Sequence, residues 1–528
     1  MFLREVVTGK REGKPVRYAQ IVEAYRNDDG KSRHRVLLSL GRVDRLDRDQ
    51  VRRLVVALSR YLETGTVPEG GRIGDVRDFG VGYVAEALWR RMELPSFFAK
   101  QLRRRKYEAP VERALFALVV HRMLDPASKL ACSDWLEHDA HLPSTHGVSL
   151  QHFYRAMDFL DDCHEELEAA LYAHRRSLFD RVELVYYDTT STYFECDEPG
   201  DEPETYGLRQ RGYSRDVRPD RKQIVIGLAV DQDGLPIASD VYSGDTSDAL
   251  TVVPMLERLR ALGLKRVAWV ADRGMASSLN IASVRAAGLD FILGVRLRAA
   301  DDLRSAISAD ETPYQEASEG LMVKDVRIAG QRYVVCFSPA SAERDLKLRT
   351  GAIDRMRPVL ERVNGGGDSV ALTTHGLYRR FVTRRADRTF QLDKRKLERE
   401  AQCDGTFVLE VSNEKMSAAD AARAYKGLLR VEHAFRGLKH GVDVRPVYHR
   451  LDKRIRAHVT LCMLAYFLER LVETATKTPF EQLRKILRRL RAVQITFDKQ
   501  TVWETGALSP EAKPIFTALK IPPPPRVL

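Results

Sequence analysis

The sequence predicts an α/β protein: a core of strands and helices, interrupted by a β-rich insertion, that follows an N-terminal hairpin and a helical region. Three observations carry this. Short β-branched and aromatic runs come in series only after residue 183, at residues 184–187, 224–230, 237–242, 267–271 and 291–295, with one helical pattern at 249–262 between them. From residue 81 to about 179 the apolar periodicity is helical instead, and helical periodicity returns at Ser417 after a stretch of different texture. The length, 528 residues, allows about three or four domains at roughly 100 to 200 residues each.

Composition narrows the class. Lys plus Arg is 86 against 74 Asp plus Glu, a formal net charge of +12 with pI near 9.3, which favours a polyanionic partner. Hydrophobic residues at 44% and charged residues at 30% describe a folded chain and exclude a mostly disordered or collagen-like one. The longest apolar stretch, residues 459–468, stops at Glu469-Arg470, well short of the roughly 20 residues a membrane span needs. The start, Met1-Phe2-Leu3-Arg4-Glu5, carries no secretory leader, so a cytoplasmic protein is expected. Six cysteines at 132, 163, 196, 336, 403 and 462 form no C-x-x-C pair and suggest neither a zinc knuckle nor a disulfide framework.

The elements follow in order. Runs at 16–25 and 34–40 flank the turn-forming residues 27–31 and predict a hairpin; a helix at 51–62 and a Gly-rich link at 64–80 follow, so the first region is 1–80. Residues 81–180 read as several short helices, with Asp125-Pro126 and Ser149 as cap signals, an arrangement that suggests a helix-turn-helix-like DNA module. The basic run Arg103-Arg104-Arg105-Lys106 with Tyr107 suits phosphates, or simply a solvated face. The core comprises 181–299 and 406–476. Between its halves, 300–405 carries β-like pieces at 323–328 and 332–337, a Gly365-Gly366-Gly367 link and a basic stretch at 384–399, and reads as an insertion. A basic C-terminal segment, 477–528, includes Arg484, Lys485, Arg488, Arg489 and Arg491 and ends near four prolines at 522–525.

Chemistry concentrates at strand ends. Asp188 stands where the 184–187 strand meets Thr189-Thr190, and Asp272 repeats the pattern after residues 267–271, before Arg273-Gly274. Ligand sites of open α/β sheets gather at such ends, and two carboxylates there suit Mg²⁺, which prefers hard oxygen ligands and keeps several waters. Each aspartate alone also reads as a turn or cap residue. On the helix predicted from 417 to 439, Tyr425, Glu432 and Lys439 are spaced by seven and Arg436 lies four beyond Glu432, so one continuous helix puts all four on one face. An amphipathic helix with a Glu432–Arg436 surface pair fits the same pattern. The segment 206–222 interleaves Arg209, Arg211, Arg215, Arg218, Arg221 and Lys222 with Tyr206 and Tyr213, a composition suited to phosphate contact and base stacking, or to a solvated basic loop.

These residues together resemble the DDE transposases of bacterial insertion sequences, in the branch with a β-rich insertion before the catalytic glutamate and a Y-x2-R-x3-E-x6-K signature. Tyr425, Glu432 and Lys439 match it in type and spacing, while Leu428 stands at the arginine position. Asp188-Thr189-Thr190, Asp272-Arg273-Gly274, Arg211-Gly212-Tyr213-Ser214, Arg218-Pro219-Asp220, Gly244-Asp245-Thr246 and Arg445-Pro446-Val447-Tyr448-His449 also look like family segments, though Asp245 replaces an asparagine. The resemblance implies an RNase H-like catalytic core in which Asp188, Asp272 and Glu432 hold two Mg²⁺ ions, with Mn²⁺ as a substitute. It implies cleavage and strand transfer on double-stranded DNA, the terminal inverted repeats of the element and the target, by a homodimer at the bacterial nucleoid. Tyr425, Lys439 and Arg436 would grip phosphates near the cleaved end, with Arg273, Arg211, Tyr213 and Arg218 as further DNA contacts. A catalytically silent DNA-binding relative and an RNase H-like nuclease without strand transfer are the alternatives.

Overall fold

The computed structural model describes residues 2–11, 14–26, 32–42, 72–103, 105, 109–178, 184–195, 207–264, 268–272, 274–275, 277–295, 297–375, 378–497 and 500–528. The chain divides into two compact units, Met1–Gly80 with Leu487–Leu528, and Val81–Ile486.

The first unit is built from both chain ends. Strands β1 (Phe2–Arg11), β2 (Lys14–Arg26) and β3 (Ser32–Arg42) form an antiparallel sheet in the order β1-β2-β3. The predicted hairpin is β2 with β3, pairing Arg26 with Ser32, and β1 adds a strand that was not predicted. The turn 27–31 and the predicted helix 51–62 lie outside the described residues. The link predicted over 64–80 is corrected at its end: Arg72–Asp78 is a strand, β4. It pairs with a strand more than 400 residues away, Arg491–Phe497, which pairs in turn with Gln500–Thr505. Local composition around Gly70, Gly71 and Gly74 conceals this strand, because Val76 and Ile73 gain their partners only from the C-terminal segment.

The second unit opens with helices α1 (Gly80–Arg91), α2 (Leu94–Leu102), α3 (Val111–Leu124), α4 (Lys129–His138), α5 (Leu150–Asp161) and α6 (His164–Leu178). Every residue of α3 from Ala114 to Leu124 is buried, so this helix is apolar on all sides and forms the centre of the group. Trp89 of α1 packs on its Phe116, ring centroids 5.5 Å apart, and against Phe98 of α2. Asp125 ends α3, Ser128 caps α4 by accepting from Ala131 N–H at 3.0 Å, and at the start of α5 the Ser149 N–H donates to His152 Nδ1.

The strands predicted after residue 183 are all present: β5 (Leu184–Tyr193), β6 (Gln223–Asp231), β7 (Pro236–Ser243), β8 (Ala268–Ala271) and β9 (Asp290–Val295), with helices α7 (Val252–Ala261) and α8 (Ser278–Ala286) between them. The segment read as an insertion contributes strands β10 (Gln315–Ser318), β11 (Leu321–Ile328) and β12 (Gln331–Phe337) to this same sheet. It also carries the small pair β13 (Val382–Arg384) and β14 (Phe390–Leu392) with its own apolar cluster around Met356, Leu372 and Phe381. With β15 (Thr406–Val411) the result is one mixed nine-stranded sheet, ordered β10-β11-β12-β15-β9-β8-β5-β6-β7. Only β5–β8 and β8–β9 are parallel. Strand β6 is buried along its whole length, which is why Ile224–Val230 is a continuous apolar run rather than an alternating one. Tyr187 and Trp269 stack at 4.8 Å in the core beneath α7 and α8, burial worth about 2 kcal/mol or more per large apolar side chain.

One expectation fails here. The helix predicted from 417 to 439 is two helices, α14 before Gly427 (Ala418–Lys426) and α15 after it (Leu429–His440). The cause is tertiary. Gly427 lies so close to the buried Tyr186 ring of β5 that a Cβ there would run into it, and the chain passes through i to i+3 hydrogen bonds, Leu428 N–H to Tyr425 and Arg430 N–H to Gly427. A long buried helix, α16 (Asp452–Thr476), follows. Its His458 accepts from the buried Lys129 of α4 at Nδ1 and donates from Nε2 to the Val444 carbonyl, while Arg122 of α3 caps the carbonyls of Asp443 and Ala127. Burial pushes the Lys129 amine down to about 7. The five described cysteines are buried and unpaired. Among the described residues no helix is long and apolar enough to cross a membrane.

Candidate active site

Parallel pairing of β5 with β8 matches Tyr187 to Ala271, so the next residues, Asp188 and Asp272, come side by side where β8 ends; β5 itself runs on to Tyr193 because residues 189–193 keep pairing with β6, so Asp188 lies within its strand and not at the end expected from the sequence. Asp188 is partly buried and accepts from its neighbour's backbone, Thr189 N–H, at 2.8 Å. Its carboxyl is raised to about 6, chiefly by burial, with Asp248 and Asp272 also pushing it up while Thr189 N–H and Arg215 pull against them. Asp272 is exposed and accepts from Tyr425 Oη at 3.0 Å, with the Tyr425 ring stacked on Phe407.

Sequence reasoning missed Asp248. It begins the short turn ahead of α7, and its Oδ1 accepts from Thr189 Oγ1 at 2.6 Å and from Arg215 Nη2 at 2.5 Å. Arg215 also donates to Thr189 Oγ1 at 2.9 Å. The signal available was the family-like Gly244-Asp245-Thr246 segment just before it; the contact with Thr189 could not be read from it. The loop after β8 is pinned by Asn280, buried and donating to the carbonyls of Ala249 and Met275, and by Ser277, which caps α8. Two loops that carry acids are thereby tied to each other.

Glu432 is exposed in the first turn of α15, whose buried residues Val431, Ala434, Phe435 and Leu438 pack toward β5 and β6. It makes no hydrogen bond or ion pair among the described residues, and among those residues no three His, Cys, Asp or Glu side chains converge on a metal position. The structure gives Asp188 two acidic neighbours, Asp248 and Asp272. Tyr425 on α14 meets Asp272, while Lys439 Nζ on α15 bonds Asp216 at 2.8 Å and is largely buried. Arg436 is exposed and lines a polar cavity with His433, Glu469 and Arg470. In the basic loop Arg211 and Tyr213 face solvent, Tyr213 at 86% exposure, whereas Arg218 is engaged by Glu195 and Asp220 and lies over the Tyr193 ring. Arg273 lies outside the described residues, as do Arg104, Lys106 and Tyr107 of the other basic run; Arg105 pairs with Asp162.

Neighbouring aspartates beside a basic loop fit metal-dependent work on a polyanion, and the comparison of sequences decides the family. The model of the transposase DDE domain matches residues 194–468, more than half of the chain. The chain is a DDE transposase. The match includes Asp272 and Glu432 and begins just after Asp188, and the model of the IS1634 family transposase N-terminal domain matches residues 4–69. The transposase acts on DNA as a nuclease and strand transferase of an insertion sequence, and its family is divalent-metal dependent. Among solved structures it is similar to a cryo-EM structure of the piggyBac transposase synaptic complex with hairpin DNA, at 9% identity over 74% of each chain with TM-score 0.35. It is also similar to the Mos1 transposase paired-end complex with the left transposon end, at 12% identity over 35% of this chain and 60% of that one, TM-score 0.15. No curated protein matches it.

Proposed function

We propose that Asp188, Asp272 and Glu432 are the acid trio of the transposase, set in an RNase H-like core that the segment 300–405 interrupts. The observation that carries this is the pair of carboxylates on adjacent parallel strands, Asp188 within β5 and Asp272 just past the end of β8, with the Asp188 carboxyl pushed up to about 6 by burial and by its acidic neighbours. Acids crowded this way repel one another, and a divalent cation relieves the repulsion. The donor set fits Mg²⁺: all ligands are hard oxygens, and one or two protein carboxylates with substrate phosphate suffice. When bound, Mg²⁺ supplies activation of the attacking water or 3′-hydroxyl and neutralisation at the leaving oxygen.

The chain's own residues do the rest. Tyr425 donates to Asp272 and fixes its orientation. Arg215 and Thr189 hold Asp248 beside Asp188, keeping one charge of the cluster compensated. Arg211, Tyr213 and Arg436 are free to meet DNA phosphates and bases, with Arg218 and Arg273 as further DNA contacts by resemblance. By resemblance, two protomers pair the two element ends, at the nucleoid of a bacterial cell.

The test is cleavage of a labelled duplex carrying the native element ends and flanks, with Mg²⁺ or EDTA. Asp188→Ala, Asp272→Ala and Glu432→Ala each abolish nicking at the element boundary while end binding persists, and EDTA does the same to the wild type. Cleavage retained by a variant removes that residue from the trio. Specific binding without cleavage by the wild type points instead to a silent DNA-binding relative.

A further inference from the structure

Arg215 and Asp216 are neighbours in the loop between β5 and β6, and their side chains go to different places. The Arg215 N–H donates to Ser191 Oγ on β5 at 2.9 Å, and its guanidinium reaches Asp248. The Asp216 carboxylate, 4% exposed, takes two cations on one oxygen: Lys439 Nζ at 2.8 Å and Arg445 Nη1 at 2.5 Å. Its other oxygen is buried and accepts no hydrogen bond among the described residues. Lys439 is itself only 11% exposed, so its ammonium points at Asp216 rather than at solvent. The next residue, Val217, sits at φ 57° although it is β-branched, with its side chain 84% exposed. A β-branched residue in the left-handed region is strained and persists only where the surroundings hold it. Here Ser191 holds one side of the turn and the buried Asp216–Lys439–Arg445 cluster the other.

We propose that Asp216 is a positioning residue. It locks Lys439 and Arg445 and thereby ties α15, which carries Glu432, to the loop whose Arg215 braces the acid cluster at Asp248. Lys439 lies seven residues beyond Glu432 on the same helix, two turns along one face. The run Lys439 to Asp216, through the Arg215 peptide, to Asp248 and Thr189 is a continuous polar bridge from α15 to the residue beside Asp188. Lys439 then serves cleavage through Asp216 rather than by touching a phosphate, while Tyr213 and Arg211 are presented outward by the same turn. This rests on the acid-trio reading above.

The full-length protein tests it. Asp216→Asn and Lys439→Met each slow single-turnover cleavage of bound ends by about tenfold or more, as losses of orienting partners do. Each leaves the Kd for ends within about threefold and the salt slope of binding unchanged. Their double variant loses no more than either single one, because both break one bridge. Lys439→Arg, which keeps the ion pair, recovers most of the rate, so a general folding defect is distinguishable. Without DNA, hydrogen exchange at the Arg215 and Arg218 amides quickens in both single variants. If Lys439→Met instead lowers the salt slope by about one and Asp216→Asn tightens binding, Lys439 is a phosphate contact and the proposal is overturned. Unchanged exchange at these amides overturns it too. Should the wild type neither bind nor cut element ends, the acid-trio reading fails, and the exchange measurement still decides whether the bridge holds the loop.

Discussion

Asp188 shows how one position can carry both the reaction and a cost to the fold. Its carboxyl, 3.8 in an ordinary aspartate, is raised to about 6 by burial and by Asp248 and Asp272. The folded chain thus binds this proton more tightly than the unfolded chain does. The resulting stability is full below pH 4 and is lost as pH rises through about 6. Asp188→Asn keeps the shape and the acceptor for Thr189 N–H but removes the charge. In EDTA its melting temperature at pH 8 should exceed the wild type's by a few degrees, with no difference near pH 4; thermal melts at both pH values check this. Cleavage by the wild type should fall as pH drops through about 6, where protons compete with the metal. Asp272 was legible because a strand that ends in Asp is a local pattern; Asp188 was singled out on the same pattern, but its strand runs on to Tyr193 through residues 189–192, which suit a strand as well as a turn. Asp248 and Asp216 were not, since their importance comes from Thr189, Arg215, Lys439 and Arg445, all brought in by folding.

At the scale of elements, the run from Ser417 to Lys439 has unbroken helical periodicity and no proline, and the sequence reads as one helix. The break at Gly427 comes from the Tyr186 ring, a residue more than two hundred positions earlier. Glycine to alanine in an ordinary helix stabilises by about 1 kcal/mol. Here Gly427→Ala should destabilise by about 1–3 kcal/mol, because the added methyl meets a buried ring that cannot withdraw. Denaturant melts measure it, and a rise in stability would show that α14 and α15 can merge. The same run of sequence carries Tyr425 to Asp272 and Lys439 to Asp216, partners that periodicity alone could not reveal. The core strands β6 to β9, by contrast, were readable to within about a residue, because burial on a sheet imposes its own composition on short segments, while β5 begins where expected but runs on to Tyr193.

Across the whole molecule, the pairing least visible in the sequence is that of β4 with Arg491–Phe497, where Arg491 meets Asp78 and Ile495 meets Ile73. Removing residues 487–528 should leave β4 without a ladder partner, whereas Val81–Ile486 retains its own core. Hydrogen exchange on the shortened chain should show fast exchange across residues 72–78 and continued protection of β5 and β6. Protected amides at 72–78 would mean that β4 finds another partner.

That pairing also orders events during synthesis. At about 5–20 residues per second, the ribosome needs roughly 20 to 80 s after making β4 to deliver the strand that covers it. For that interval the β4 segment of a nascent transposase lacks the ladder partner it pairs with in the folded chain, and unpaired strand backbone invites pairing with other chains. The unit that begins the polypeptide is therefore among the last to close, and a message cut short near its 3′ end yields a protein whose first domain is the one left unfinished.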